Sequence, residues 1–258
     1  MNENQRSAWI VTLAAAAFLM VTMGARQSLG LFVSPINTST GLGITAISLA
    51  MAVGQLMWGV VQPVAGAMAD RHGPARVLVG GLVVLAVGTA MTPFMTSTFG
   101  LVVSLGLLAA IGSGAGSFSV LIGAVSQRLP VEGRGKAAGV INAGGSFGQF
   151  VFAPVSQGLI GLLGWMGAMW SLAAITLGAL PLVKVVSPKA RAHPATAIEG
   201  HSTPWRAARS AMTDRSYLLL HAGFFTCGFH IAFLVTHLPG EVDLCGLPAS
   251  VASWSLAL

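Results

Sequence analysis

Charged side chains are the scarcest class in this sequence. Asp, Glu, Lys and Arg make up 8% of its 258 residues, whereas soluble domains carry about 25%. Uncharged, mostly apolar runs of membrane-spanning length recur along the chain, and hydrophobic residues make up 54% of it. Each run could cross a hydrocarbon core of roughly 30 Å as a helix. The runs do not alternate as the strands of a membrane β-barrel do, so the composition predicts an all-α polytopic membrane protein.

Cysteine and intramembrane acids are also scarce. The two cysteines, Cys227 and Cys245, form neither a disulfide framework nor a metal-ligand spacing. His230 and His237 stand two helical turns apart, about 10.5 Å by helix rise, which is too far for one metal ion. An intramembrane hydrolase would need convergent carboxylates or a histidine cluster. We therefore expect no enzyme activity, no metal and no cofactor.

The apolar runs predict seven complete spans, and the basic residues between them predict their orientation. We place spans 1 to 7 at 8–33, 44–68, 76–95, 99–126, 136–163, 165–187 and 216–238, and an eighth span begins near 247. The only plausible turn between spans 5 and 6 is "LLGWMG". Twelve of the thirteen Lys and Arg residues lie before span 1 or in alternate loops on the same side, and the thirteenth is Arg26. The positive-inside rule then places the N-terminus in the cytoplasm and the chain in the cytoplasmic (inner) membrane. Membrane orientation explains the basic charge better than nucleic-acid binding does.

A basic stretch with three prolines, 188–215, interrupts the spans. We interpret it as a cytoplasmic linker between a six-helix unit at 1–187, which could consist of two three-helix repeats as in many transporters, and a second transmembrane unit that starts at 216–258. Small residues at Gly112 and Gly116, and at Gly144 and Gly148, predict close helix contacts.

The loop after span 2 carries the most specific motif, "GAMADRHGPARV". Its residues Gly66, Asp70, Arg71, Gly73 and Arg76 resemble the Gly-x-x-x-Asp-Arg-x-Gly-x-x-Arg signature of the major facilitator superfamily, in that family's own loop. The resemblance implies the six-helix N-terminal bundle of the major facilitator fold, followed by span 7 and part of span 8. Gly73 would allow a tight turn and Gly66 a close helix approach. Asp70 would sit at a helix N-terminus or pair with Arg128 or Arg134, in a cluster that breaks when the protein changes state.

Three further stretches, "GARQSLGLFVSPI", "GGSFGQFVFAP" and "HIAFLVTHLPG", resemble the bacterial monocarboxylate and oxalate/formate porter branch. Members of the superfamily usually have twelve spans. The resemblance therefore implies that a second set of helices, absent from this sequence, is required for transport.

The candidate substrate-binding residues are the polar side chains inside the spans. Arg26 is the one charge within an otherwise uncharged span, and its guanidinium suits a carboxylate ligand. The others are Gln27 beside it, Asn142 and Gln149 on one face of span 5, and His230 in span 7. Three of them have a purely structural alternative. Arg26 could extend its charged end to the membrane surface (snorkelling), and the two amides of span 5 could form interhelical hydrogen bonds.

The sequence thus predicts a secondary transporter that works by alternating access on small organic anions, with the substrate and the lipid bilayer as its partners. Two alternatives remain open: a facilitator-type exporter of drugs or other solutes, and a non-transporting membrane sensor or inactive fragment.

Overall fold

The computed structural model describes residues 3–187 and 210–257, and most of these residues are helical. The α-helices are Glu3–Gln27, Val33–Thr40, Ile44–His72, Pro74–Met91, Thr98–Leu101, Ala110–Ala115, Phe118–Ser126, Val131–Gly178, Leu180–Val186, Arg215–Leu244 and Ala249–Ala257. Shorter 3-10 segments, Ser28–Phe32 and Thr92–Phe94, and a π-helical segment, Val102–Ala109, join some of them. Within the described ranges, six helical stretches are long and apolar enough to cross a membrane.

One of these stretches, Val131–Val186, contains two spans. Its 56 residues would extend about 84 Å as a straight helix at 1.5 Å per residue, far beyond a bilayer core. Gly164 breaks it with φ 70° and ψ 170°, a conformation that glycine adopts without a side-chain clash. The turn predicted at "LLGWMG" is therefore confirmed, and it separates span 5 from span 6.

The helices of spans 2 and 7 extend past the predicted span limits. The helix of span 2 continues to His72, and the helix of span 7 continues to Leu244 instead of ending near 238. The end of span 7 was therefore predicted too early. Pro239 lies inside the helix, where proline removes one backbone hydrogen bond without ending the helix.

Glycines bring the spans into close contact, as their spacing predicted. A Cβ at Gly148 would overlap the carbonyl oxygen of Met20 in span 1, and Gly144 lies in the same way against Ala16. In span 4, Gly112 packs on the backbone of Leu85 in span 3, and Gly116 lies against the side chains of Phe18 and Thr22. Thr22 Oγ1 also donates a hydrogen bond to the Gly116 carbonyl at 3.2 Å.

The core lies between spans 1 to 6. Its largest fully buried side chains include Phe18, Leu82, Leu121, Ile141 and Met169. Large apolar side chains on the outside, such as Leu56 and Leu162, are what a bundle immersed in hydrocarbon presents to lipid. The predicted linker lies largely outside the described residues, because only 210–215 of it is described. The division into units 1–187 and 216–258 stays a prediction.

Candidate substrate cavity

A small cavity lies inside the bundle, where spans 1, 2, 3, 4 and 7 meet. Its volume is about 40 Å³, enough for a few water molecules. Residues of five spans line it: Arg26, Leu29, Gly30, Met51, Gly54, Gln55, Leu85, Leu105, Ala109, Ala110, Val235 and Thr236. A wider substrate would require these helices to move apart.

Arg26 projects toward span 2 and is held there by two side chains. Its Nη2 donates a hydrogen bond to Gln55 Oε1, and its Cζ lies 4.2 Å from the ring centroid of Trp58. Gln55 and Trp58 are three residues apart in one helix and so share a face. A cation over an indole ring is stabilised by about 0.5–2 kcal/mol. Span 2 therefore orients the guanidinium at the cavity wall, and Arg26 does not snorkel outward.

The cavity carries an uncompensated positive charge. None of the described residues that line it is acidic, and both partners of the guanidinium are neutral. Placing an arginine in the middle of a helix costs at least about 2.5–3.5 kcal/mol on insertion scales. An amide and an indole offset part of that cost and leave the charge available to an anion.

The other predicted site residues lie outside the lining. Gln27 is half-buried, and its Oε1 is enclosed without a hydrogen-bond partner among the described residues. Asn142 is exposed, and Gln149 Nε2 donates to the Leu256 carbonyl at 2.7 Å. His230 is exposed, with Nδ1 3.2 Å from the Thr226 carbonyl of its own helix. Gln149 thus makes an interhelical hydrogen bond, as its structural alternative predicted. Substrate binding by these four residues stays a prediction.

Gln55 and Trp58 were missed in the sequence. The available signal was an isolated amide in an uncharged span: a buried arginine without an acid needs a neutral acceptor, and Gln55 is the only amide of span 2 apart from Gln62. Thr236 was missed too, because attention in span 7 went to the histidines.

The loop motif forms a tight turn, but two of its expected contacts are wrong. Gly73 joins the helices of spans 2 and 3 with φ 87°, as a tight turn requires. A Cβ on Gly66 would meet nothing within 4 Å among the described residues, because this glycine does not face a neighbouring helix there. Arg71 and Arg76 are exposed.

Asp70 also differs from expectation. It is exposed in the last turn of helix Ile44–His72, not at a helix N-terminus. The guanidinium groups of Arg128 and Arg134 instead approach the backbone carbonyls of Val185 and Leu129, each at 3.4 Å.

Spans 1 and 7 are in direct backbone contact at the cavity, where Gly30 and Val235 both line it. A Cβ at Gly30 would overlap the carbonyl oxygen of Val235. Pro239, four residues further on, cannot donate a hydrogen bond to that carbonyl, so the glycine backbone can lie directly against it. Beyond this contact, Ser34 Oγ donates to Asp243 Oδ2 at 2.7 Å. The two contacts join spans 1 and 7 beside the cavity.

Metal ligands do not converge anywhere in the part of the chain that the structure describes: no three His, Cys, Asp or Glu side chains are grouped there to hold an ion.

The comparisons with known proteins agree with this architecture. The chain is 26% identical to "Monocarboxylate transporter 13" of Rattus norvegicus over 89% of its own length and 53% of that protein's. It is 26% identical to "Oxalate:formate antiporter" of Oxalobacter formigenes over 67% of its length and 40% of that protein's.

A solved structure described as "Crystal structure of D-xylose-proton symporter" superposes with a TM-score of 0.66 at 15% identity, over 96% of this chain and 65% of that one. That likeness concerns the fold. The chain spans about half the length of the curated relatives that it matches. The family described as "Major Facilitator Superfamily" matches residues 12–258. This chain is a multi-pass membrane protein that belongs to the major facilitator superfamily.

Proposed function

We propose that this protein is a secondary transporter of small organic anions that works by alternating access around the Arg26 cavity. The observation that carries the proposal is Arg26 itself, a guanidinium held at the cavity wall by Gln55 and Trp58 with no acid in the lining. A guanidinium keeps its charge and grips a carboxylate through two parallel hydrogen bonds.

The names of the relatives support the same substrate class. One is a monocarboxylate transporter and another exchanges oxalate for formate. We propose small monocarboxylates and small dicarboxylates such as oxalate as the substrates. Helices beyond Leu258 would complete the binding site.

A drug exporter is the second candidate among transporters. An exporter of cations would be expected to hold an acidic side chain in its cavity. Among the described lining residues, Arg26 is the only charged one. The alternatives from another class, a membrane sensor or an inactive fragment, predict that no transport occurs in any variant.

The location and the orientation are also proposals. We infer that the protein lies in the cytoplasmic membrane with its N-terminus inside, from the placement of the basic loops. We further propose that the Gly66, Asp70, Arg71, Gly73 and Arg76 motif acts in the switch between inward and outward states.

The test is uptake of labelled oxalate, formate and lactate into proteoliposomes. The protein is expressed together with whatever its reading frame encodes after Leu258. We expect Arg26→Ala to abolish uptake. Arg26→Lys keeps the charge but can no longer form two parallel hydrogen bonds to a carboxylate. The lost hydrogen bond to a charged group is worth about 1.5–3 kcal/mol. We therefore expect a KM roughly ten- to a hundredfold higher.

The matched control is Arg215→Ala, which removes an exposed arginine at the start of span 7. It should leave KM unchanged. Uptake by Arg26→Ala at wild-type rate and affinity would make Arg26 a structural anchor and overturn the proposal. Absence of uptake in the unmodified protein would favour the sensor or fragment.

A further inference from the structure

A second, much larger groove lies at the end of the bundle where the basic loops gather. Its volume is about 700 Å³, and it runs between the start of span 1 and the start of span 5. Its lining comprises Ser7, Ala8, Trp9, Val11, Thr12, Arg128, Leu129, Pro130, Gly133, Lys136 and Ala137. The groove is separate from the Arg26 cavity, and the proposed transport function does not use it.

The polar wall of the groove is positively charged. Arg128 and Lys136 are both exposed. Arg128 uses Nη1 to approach the Val185 carbonyl at 3.4 Å, which leaves most of its N–H groups available. The wall also includes the N-terminal turn of helix Val131–Gly178, the positive end of a helix dipole. Glu132 lies on the same turn but is not part of the lining.

The other wall is apolar and aromatic. Trp9, 42% exposed, lies where an indole is favoured at a membrane–water boundary. Val11 and Ala137 are buried below it and continue the groove toward the hydrocarbon depth. A soluble anion would use only the charged wall, whereas a lipid would use both.

We propose that this groove binds an anionic phospholipid, with the phosphodiester at Arg128 and Lys136 and the upper acyl region along Trp9. The site lies at the depth of the headgroups in the leaflet that faces the basic loops. Basic pockets between spans on this side of a membrane recognise such headgroups. Charge complementarity and the position of the groove at the ends of two spans favour this occupant.

Native mass spectrometry of the purified protein provides the test. The protein is mixed with equal amounts of phosphatidylglycerol and phosphatidylcholine that carry the same acyl chains. We expect one phosphatidylglycerol to be retained preferentially. The double variant Arg128→Gln, Lys136→Gln should lower that preference roughly thirtyfold, since each cationic contact near an anionic surface is worth about 1 kcal/mol. The exchange Arg128→Lys, Lys136→Arg should keep it.

The matched control removes two exposed charges at the same end of the bundle, Lys184→Gln and Arg215→Gln, neither of which lines the groove. It should keep the preference. Equal retention of the two lipids by the unmodified protein would overturn the proposal even if the double variant failed to insert. An equal loss in the control pair would overturn it, as would displacement of the lipid by soluble glycerol 3-phosphate, which would indicate a site for free anions.

Discussion

At the scale of single residues, Arg26 of span 1 and Asp70 of the span 2 helix have opposite surroundings. Arg26 is half-buried and packed against neutral partners of span 2, Gln55 and Trp58. Asp70 is exposed at the end of that same span. A buried charge is stabilised by what surrounds it in one state, whereas an exposed charge is free to change partner between states. These surroundings support the roles proposed above, anion binding for Arg26 and conformational switching for Asp70.

This contrast gives a prediction for Asp70→Asn. Removing the charge should leave membrane insertion normal and slow transport by roughly tenfold, within the usual range for coupling between two global states. Glu132→Gln is the matched control, because it removes an exposed acid from the first turn of the span 5 helix, at the same end of the bundle. Proteoliposome uptake and the yield of membrane-inserted protein are the two measurements. Normal transport kinetics in Asp70→Asn would reduce the motif to an ordinary turn.

At the scale of elements, glycines decide which helices can touch. Span 5 packs on span 1 through Gly144 and Gly148, and span 7 meets span 1 through Gly30 at a carbonyl that Pro239 cannot bond. The first contact lies within the predicted six-helix unit, and the second joins span 1 to span 7. Smooth glycine surfaces make both contacts close, and the second can part without losing a hydrogen bond between the two backbones.

Gly148→Leu tests the first contact. The new side chain would overlap the Met20 carbonyl, and overpacking of this kind typically costs about 1–3 kcal/mol. Gly139→Leu is the matched control in the same helix, because a Cβ there meets nothing within 4 Å. We expect a lower midpoint of thermal unfolding in detergent for Gly148→Leu, and an unchanged or higher one for Gly139→Leu, since leucine favours a helix over glycine. Equal midpoints for the two variants would contradict the packing role.

At the scale of the whole molecule, the distribution of charge predicts how the bundle sits in the membrane. After replacement of the two exposed cysteines, Cys227 and Cys245, a single cysteine at Ser39 or Ser97 should react with an impermeant thiol reagent outside intact cells. A cysteine at His72 or Glu132 should react only after the cells are opened. All four positions are exposed, so burial does not decide the outcome. Outside labelling at position 132 would reverse the orientation.

Hydropathy, charge placement and the loop motif determined the class, the spans and the family, because these depend on local composition and on spacing along the chain. The turn between spans 5 and 6 was readable for the same reason, since one glycine in the short segment "LLGWMG" supplies the positive φ. The sequence did not predict that the helix continues through Pro239 to Leu244. Pro239 leaves the Val235 carbonyl without its helical donor, and whether the helix continues then depends on what packs against that carbonyl in the folded protein.

Only the tertiary structure decided which polar residues meet. Arg26 stood out in the sequence, but its partners Gln55 and Trp58 lie 29 and 32 positions away, and the relative rotation of two packed helices brings them together. The packing of the other described helices leaves His230 and Asn142 exposed and places Gln149 Nε2 against the Leu256 carbonyl. A sequence shows which side chains share one helix face, whereas the side chain opposite them depends on how the helices pack.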